Sequence, residues 1–348
     1  MHKKEQSIVV FLSEGHEKHA PEFEFDFGKS SRYHESPDRI KTITEALNRL
    51  DFVEFAGQNE ISNDFWNALN SIHNPEYIDF LKTPAPNFPS NSGYIYPDVF
   101  PKNIPPYKNN QAYQVVLGHF SLDQFAPIGP ETSKAAFEAA NTSFEAARSL
   151  VLNNYKNVYA VVRPPGHHAG KSSMAGYCYI NNIAVAAAFL KNLGKIAVLD
   201  LDTHHGNGTQ EIFWNESDVF FVSLHGDPGY EYPGYTGYSE EKGGENAIGK
   251  NLNFPLPAGC DGKTYLKTLD KALKQIELFS PSFLLISLGF DTYKNDPVGK
   301  FSLDLDDYEE MGRNISKLEI PKLFVQEGGY DLSALGEITL RFFSGINE

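Results

Sequence analysis

Three side chains that can bind a metal ion stand close together at the end of a predicted strand. Asp200, Asp202 and His204 follow an apolar run and alternate with other residues. Residues two apart in an extended segment project from the same face, so Asp202 and His204 could bind one ion, with an oxygen of Asp200 close behind. Burying that much charge without a partner would be costly. The sequence therefore predicts a cation at this strand end.

Asp291 lies after another predicted strand and could complete a set of two carboxylates and one imidazole with Asp202 and His204. Catalytic zinc sites keep a coordination position open beside three protein ligands, whereas structural zinc sites are closed and usually contain thiolates. The three residues are therefore predicted to bind a catalytic metal ion. The alternative for Asp291 is a turn-capping role, in which aspartate is common.

A pair of histidines, His167 and His168, follows a rigid Pro-Pro-Gly turn. Because histidine titrates near neutrality, one imidazole could accept a proton from water at the metal while the other stabilises developing charge. Asp200 and Asn207 are the predicted partners. An ionised carboxylate favours the charged form of its imidazole, and a neutral amide leaves the other free to act as a base. The alternative is a pair of surface histidines that only form hydrogen bonds.

Tyr330 follows the sequence Glu-Gly-Gly, in which two glycines let the backbone approach a ligand closely. A phenol at that position could donate a hydrogen bond to a carbonyl oxygen or to the oxyanion formed from it. The alternative is a tyrosine packed in the core.

Short apolar runs that are typical of buried strands alternate with helical patterns along the chain. This order predicts a mainly parallel sheet covered on both faces. Ligands of such sheets bind outside the carboxyl ends of the strands, which is where the polar clusters lie. The predicted strands are 7–12, 158–162, 196–201, 219–224, 283–288 and 323–325, and the predicted helices are 133–152, 180–193, 263–279 and 307–318.

Composition limits the possible partners. The formal net charge of −15 argues against a nucleic-acid partner and is compatible with a cationic substrate. The chain has only two cysteines, Cys178 and Cys260. It shows neither a signal peptide nor an apolar run long enough to span a bilayer. We therefore expect a cytoplasmic protein without a membrane partner. No linker or repeat divides the chain. One domain over residues 1–348 is predicted, with a Pro-rich active-site or interface loop at 83–130.

Together these segments resemble the zinc-dependent histone deacetylase superfamily, which includes the acetylpolyamine amidohydrolases. The resemblance implies an arginase/deacetylase-like three-layer α/β/α fold with a mainly parallel sheet and long active-site loops. It also implies hydrolysis of N-acetylated amines to acetate and a free amine. The motifs that carry it are RPPGHHAG (163–170), GYCYINN (176–182), DLDTHHGNGTQ (200–210), SLHGDP (223–228), GFDTYKNDP (289–297) and QEGGY (326–330).

The resemblance implies a role for each matching catalytic position. Zinc would be bound by Asp202, His204 and Asp291. His168 would be the general base and acid, paired with Asn207, and His167 would be its electrostatic partner, oriented by Asp200. Tyr330 would polarise the acyl carbonyl.

Further positions are implied around the centre. A structural potassium ion would lie near Asp200, Asp202, His204, Ser223 and Leu224. Gly176, Tyr177 and Tyr232 would form the walls of a narrow substrate tunnel, and Arg39 would lie near an inner channel for acetate.

The substrate is left open between acetyl-lysine in proteins and acetylpolyamines. Asn207 and the QEGGY motif resemble the amidohydrolase and class II branches more than the class I enzymes. The amidohydrolases have an acidic gatekeeper where this chain has Phe125, and Asp123 is the nearby acid that could replace it. Segment 83–130 resembles their insertion at a dimer interface, which predicts a homodimer.

Two other functions are considered. A binuclear manganese ureohydrolase of the same fold is disfavoured, because bridging two metal ions needs more carboxylates than the run 200–205 supplies. A non-catalytic acyl-lysine binding module predicts a damaged site, yet every catalytic position is filled. The sequence does not distinguish zinc from iron as the native metal.

Overall fold

The computed structural model describes residues 7–26, 28–57, 60–83, 85, 93–101 and 112–348. Within them, eight strands form one sheet in which every neighbouring pair is parallel. Two further strands form a separate antiparallel hairpin. In chain order the elements are β1 (Ile8–Leu12), β2 (Phe23–Asp26), β3 (Lys29–Arg32), α1 (Asp38–Leu47), β4 (Val53–Phe55), α2 (Asn63–Ile72), α3 (Pro75–Lys82), α4 (Tyr113–His119), α5 (Thr132–Leu152), β5 (Asn157–Val161), α6 (Asn182–Leu190), β6 (Ile196–Asp200), α7 (Asn207–Phe213), β7 (Val219–Gly226), β8 (Asn251–Leu256), α8 (Gly262–Phe279), β9 (Phe283–Leu288), α9 (Leu305–Ser316), β10 (Lys322–Gln326) and α10 (Leu332–Asn347).

Helices cover both faces of the sheet, which gives three layers. Along β1, Val9 and Phe11 pack into one apolar core with α2, α3, α5 and α6, whereas Ile8 and Val10 pack into a second core with α1, α8, α9 and α10. Successive residues of a strand point to opposite faces, so a strand buried on both sides must be apolar throughout. The predicted three-layer α/β/α fold with a mainly parallel sheet is confirmed.

The sheet order brings the catalytic candidates together. In the order β4–β1–β5–β10–β9–β6–β7–β8, the strands followed by the polar clusters are consecutive neighbours from β5 to β7. Because all of them are parallel, their carboxyl ends lie along one edge. The loops that follow β5, β10, β9 and β6 therefore meet there.

The prediction that the extended segment continues to His204 is wrong. Strand β6 ends at Asp200, and the chain then turns. Asp202 accepts a hydrogen bond from the backbone N–H of His204 at 2.9 Å, which closes a local turn. The turn, rather than strand alternation, brings these two side chains together.

Several elements were not predicted because they lack a continuous apolar face. The edge strand β8 contains two asparagines and a proline, and the hairpin β2–β3 is mostly exposed. Helix α6 begins at Asn182 rather than 180, since the Asn181 side chain caps it by accepting the N–H of Ala184.

Segment 83–130 is only partly the long loop that was predicted. It contains α4 and a bridge between Ile95 and Ile128. The prolines at positions 84, 86, 89, 105 and 106 lie outside the described residues.

Within the described ranges, no helix is both long and apolar enough to cross a bilayer.

Candidate active site

Two buried carboxylates and one imidazole converge at the carboxyl edge of the sheet. Backbone amides fix both acids, because Gly328 N–H donates to Asp202 Oδ2 at 2.8 Å and Thr203 N–H donates to Asp291 Oδ1 at 2.9 Å. His204 Nδ1 lies 3.0 Å from Asp202 Oδ1 and 3.3 Å from Asp291 Oδ2. Loops after β6 and β9 thus supply the three side chains, and the loop after β10 supplies a backbone amide that holds Asp202.

This group fits a metal ion. One ligand atom from each of Asp202, His204 and Asp291 lies within 4.8 Å of the others, and Asp291 Oδ2 is buried without a hydrogen-bond partner among the described residues. Burial and the neighbouring Asp202 carboxylate raise the pKa of Asp291 to about 8. Two carboxylates and one imidazole that converge in this way form a donor set that suits a divalent cation such as zinc.

Gly328 lets the backbone approach both acids. A Cβ atom at this position would lie 2.2 Å from Asp291 Oδ2 and 2.6 Å from Asp202 Oδ2, closer than packing allows. The Gly-Gly pair before Tyr330 thus serves the predicted close approach of the backbone, here to the acidic group itself.

The two adjacent imidazoles have different environments. His167 Nδ1 lies 3.1 Å from Asp200 Oδ2. Burial opposes protonation of His167, but the carboxylates of Asp200, Asp202 and Glu327 outweigh it and raise the pKa of His167 to about 10. This imidazole is therefore positively charged near neutral pH.

His168 is a neutral imidazole held by an amide. Its Nδ1 lies 2.7 Å from Asn207 Oδ1, and Asn207 Nδ2 donates to the hydroxyl of Tyr235 at 3.0 Å. Nδ1 therefore carries the proton and Nε2 holds a lone pair. Burial, together with the charge of His167, lowers the pKa of His168 well below its usual value.

Tyr330 lies beside the metal-binding group at the cavity wall. Its backbone N–H donates to Asp296 Oδ2 at 2.7 Å, and the Arg39 guanidinium lies 4.8 Å from the centre of its ring. Arg39 is fully buried and donates to the carbonyls of Gly329 and Glu327. Burial raises the pKa of Tyr330 well above its usual value, so the phenol keeps its proton.

A cavity of about 660 Å³ opens above His168, His204 and Tyr330. The predicted tunnel residues Gly176, Tyr177, Tyr232 and Phe125 line it. A Cβ on Gly176, whose φ is +49°, would lie 2.4 Å from His168 Cδ2, so a larger residue would collide with this imidazole.

Asp123 lies behind the wall instead of lining the cavity. Its carboxylate accepts the N–H groups of Phe125 and Gly176 and the hydroxyl of Tyr232. Asp123 therefore ties three wall positions together, while Phe125 lines the cavity itself.

Three acids that were not predicted line the same cavity: Glu24 and Asp26 of the hairpin β2–β3, and Glu231 after β7. No motif marks them, because only the folded chain brings the hairpin to the cavity. Tyr177 Oη donates to Glu24 at 2.7 Å, so the hairpin supports the wall.

Of the positions predicted for potassium, Asp202 and His204 belong to this centre, whereas Asp200, Ser223 and Leu224 lie on the adjacent strands β6 and β7. Asp200 of β6 pairs in register with Ser223 of β7, and Leu224 follows it. The Ser223 hydroxyl is hydrogen-bonded to His225 Nδ1 at 2.7 Å. The potassium site stays a prediction.

Residues 33–346 match the family model described as the histone deacetylase domain. The chain belongs to the histone deacetylase family. It is 37% identical over 346 residues to acetylpolyamine amidohydrolase 2 of Pseudomonas aeruginosa, covering 97% of this chain and 98% of that protein. It is 32% identical over 319 residues to histone deacetylase 15 of Arabidopsis thaliana, covering 88% of this chain and 51% of that protein. The crystal structure of the acetylpolyamine aminohydrolase from Burkholderia pseudomallei is similar with a TM-score of 0.90 at 31% identity, covering 97% of this chain and 98% of that one.

The predicted family is therefore confirmed, and this histone deacetylase family member is a deacetylase. The structure places His167, His168, Asp202, His204, Asp291 and Tyr330 together, with Asp200 and Asn207 behind the two histidines. Their individual roles stay predictions.

Proposed function

We propose that this protein is a zinc-dependent deacetylase that hydrolyses the amide of small N-acetylated amines, with acetylpolyamines preferred over acetyl-lysine in proteins. The observation that carries the proposal is the buried group of Asp202, His204 and Asp291 at the base of a cavity that His168 and Tyr330 also reach. Relatives named acetylpolyamine amidohydrolases that align over nearly the whole chain support the substrate preference.

The cavity suits a cationic substrate. Glu24, Asp26 and Glu231 line it on two sides, and Lys300 is a basic residue in the same wall. Aromatic rings of Phe125, Tyr177 and Tyr232 would enclose an aliphatic stem, while the acids attract ammonium groups. This combination favours an acetylated polyamine.

Zinc bound by Asp202, His204 and Asp291 would lower the pKa of a water molecule and polarise the amide carbonyl. The protein supplies the remaining steps. His168 Nε2 accepts a proton from the attacking water and later returns it to the leaving amine. The positive charge on His167 stabilises the negative charge that develops nearby, and the Tyr330 hydroxyl donates a hydrogen bond to the carbonyl oxygen.

The other two functions receive less support. A second possible metal group in the described residues, His167–Cys178–Glu327, shares no residue with the first and so supplies no bridging carboxylate for a binuclear manganese centre. An acyl-lysine binder would have no use for a neutral base held by Asn207.

We extend the proposal to the assembly and surroundings of the protein. Residues 1–348 would form one catalytic domain in a cytoplasmic homodimer, consistent with two free buried cysteines. Exposed Phe23, Phe25 and Phe100 offer apolar surface for a second copy. Asp200, Asp202, His204, Ser223 and Leu224 would bind structural potassium, and Arg39 would lie beside the acetate path.

The decisive experiment compares turnover of acetylputrescine, acetylcadaverine and acetylspermidine with that of acetyl-lysine peptides. The wild type should hydrolyse the acetylpolyamines faster, treatment with a chelator should abolish activity, and added zinc should restore it. His168→Ala should be inactive, whereas His119→Ala, outside the cavity, should not be. Robust activity of His168→Ala would refute the mechanism, and preference for peptides would refute only the substrate assignment.

A further inference from the structure

Glu231 is a buried acid that takes no part in the proposed proton transfers. It is 6% exposed and lies in the loop after β7, next to the wall residue Tyr232. Its Oε1 atom is 3.9 Å from His204 Nε2, and its Oε2 atom is buried with no hydrogen-bond partner in the described part of the chain. An acid with unused acceptor capacity therefore faces the outer nitrogen of a predicted metal ligand.

The orientation of His204 makes this contact meaningful. Its Nδ1 atom faces Asp202 and Asp291, so Nδ1 must hold the lone pair if the three residues bind one ion. A neutral imidazole with a free Nδ1 carries its proton on Nε2. That N–H points toward Glu231, and histidine ligands commonly donate this second N–H to a carboxylate.

We propose that Glu231 is a positioning residue for His204, whose carboxylate accepts the Nε2–H and holds the Nδ1 lone pair toward Asp202 and Asp291. The proposal rests on the proposed function, because it requires a metal ion at these three ligands. The 3.9 Å separation is an ion-pair distance, roughly one ångström longer than a hydrogen bond. The proposed hydrogen bond requires Oε1 and Nε2 to move closer by about that distance when Nε2 carries the proton.

The surroundings of Glu231 hold its carboxylate at this place. Its Oε1 accepts the N–H of Tyr232 at 3.3 Å and lies 3.5 Å from Lys300 Nζ. A Cβ atom on Gly226 would lie 2.7 Å from Glu231 Cγ, so this glycine provides the space for the side chain. Lys300 partly balances the charge of the acid while leaving Oε2 unpaired.

Another acid of the cavity, Asp26, provides a matched control. Asp26 lines the same cavity from the hairpin and carries the same charge, but no described hydrogen bond or ion pair joins it to a metal ligand. Removing its charge changes the electrostatic field of the cavity without changing the surroundings of His204.

The test measures zinc affinity of the full-length protein by competition with a chromophoric chelator, independently of catalysis. Glu231→Ala should weaken zinc binding by about 10- to 100-fold. Glu231→Gln keeps a neutral oxygen acceptor of the same shape and should recover part of that loss. Asp26→Asn should bind zinc as tightly as the wild type. The d–d spectrum of the cobalt-substituted protein should change in Glu231→Ala and much less in Asp26→Asn.

The possible failures can be told apart. If the wild type binds no zinc, or binds it equally well after Asp202→Ala, the proposed metal site and this inference both fall. If the wild type binds zinc but both Glu231 variants match it, only this inference is overturned. Equal losses in Glu231→Gln, Glu231→Ala and Asp26→Asn would also overturn it, because they would indicate general charge rather than a hydrogen-bond acceptor.

Discussion

Two adjacent histidines have opposite properties because three carboxylates outweigh the burial of His167, whereas burial and the charge of His167 act on His168. Asp200 helps to raise the pKa of His167 to about 10, while His168, beside the amide of Asn207, has a lowered pKa. The sequence allowed this division to be predicted, because the two partners lie in one short motif. It did not reveal Glu327, whose carboxylate accepts the N–H groups of Gly166 and His167 from a distant strand end.

Asn207→Asp tests the division of roles. A carboxylate beside His168 would favour the charged imidazole, which cannot accept a proton. The acid limb of the kcat/KM profile should therefore move to higher pH by about 1 to 3 pH units. The pH profile of the wild type with the same substrate is the reference. An unchanged acid limb would argue against His168 as the base.

Tyr330→Phe tests the proposed hydrogen bond to the reacting carbonyl. Loss of one donor to a developing oxyanion should lower kcat by about 100- to 1,000-fold while KM changes little. Zinc content should stay the same, because Tyr330 is not one of the three ligands. Tyr230→Phe, whose phenol donates to the carbonyl of Leu256 at the cavity rim, is the matched control. A comparable kcat loss in both variants would contradict the assignment.

At the scale of elements, the loops that meet at the sheet edge could be predicted from the sequence, whereas the elements that form the cavity walls could not. Apolar runs such as Phe283–Leu288 end where polar motifs begin, so the sequence indicated which loops share an edge. The hairpin β2–β3 is short, exposed and rich in charge, so no apolar period marks it. Glu24 of this hairpin nevertheless lines the cavity and accepts a hydrogen bond from the hydroxyl of Tyr177.

The contact between Glu24 and Tyr177 should control substrate binding more than chemistry. Tyr177 has a φ of +69°, a conformation that its neighbours must hold in place. Tyr177→Phe and Glu24→Gln should each raise KM with a smaller change in kcat, and the double variant should be no worse than the stronger single one. Tyr96→Phe removes a phenol that donates to Phe23 on the same hairpin and should leave KM unchanged. Additive effects in the double variant would contradict the coupling.

At the scale of the whole molecule, the catalytic edge depends on contacts between distant segments. His73, just after α2, is 1% exposed, and its Nδ1 is 2.9 Å from the carbonyl of Gly170 in the loop after β5. Its Nε2 accepts the backbone N–H of Asn181 at 3.1 Å. The sequence could not predict this link, because a single histidine after a helix carries no signal of its partners. One neutral imidazole joins the helical layer to two active-site loops.

This link predicts a loss of stability in acid. Burial lowers the pKa of His73 to about 4, whereas the unfolded chain binds this proton near 6.5. The unfolded state thus takes up the proton first, so the stabilising effect of neutral His73 is present above pH 6.5 and declines as the pH falls toward 4. The free energy of unfolding should drop by about 3 kcal/mol over that range from this residue alone. Urea denaturation at each pH measures it, and His73→Gln, which keeps one donor and one acceptor, isolates it from other titrating groups. Parallel curves for the wild type and His73→Gln between pH 7 and 4 would show that protonation of His73 does not cause the loss of stability.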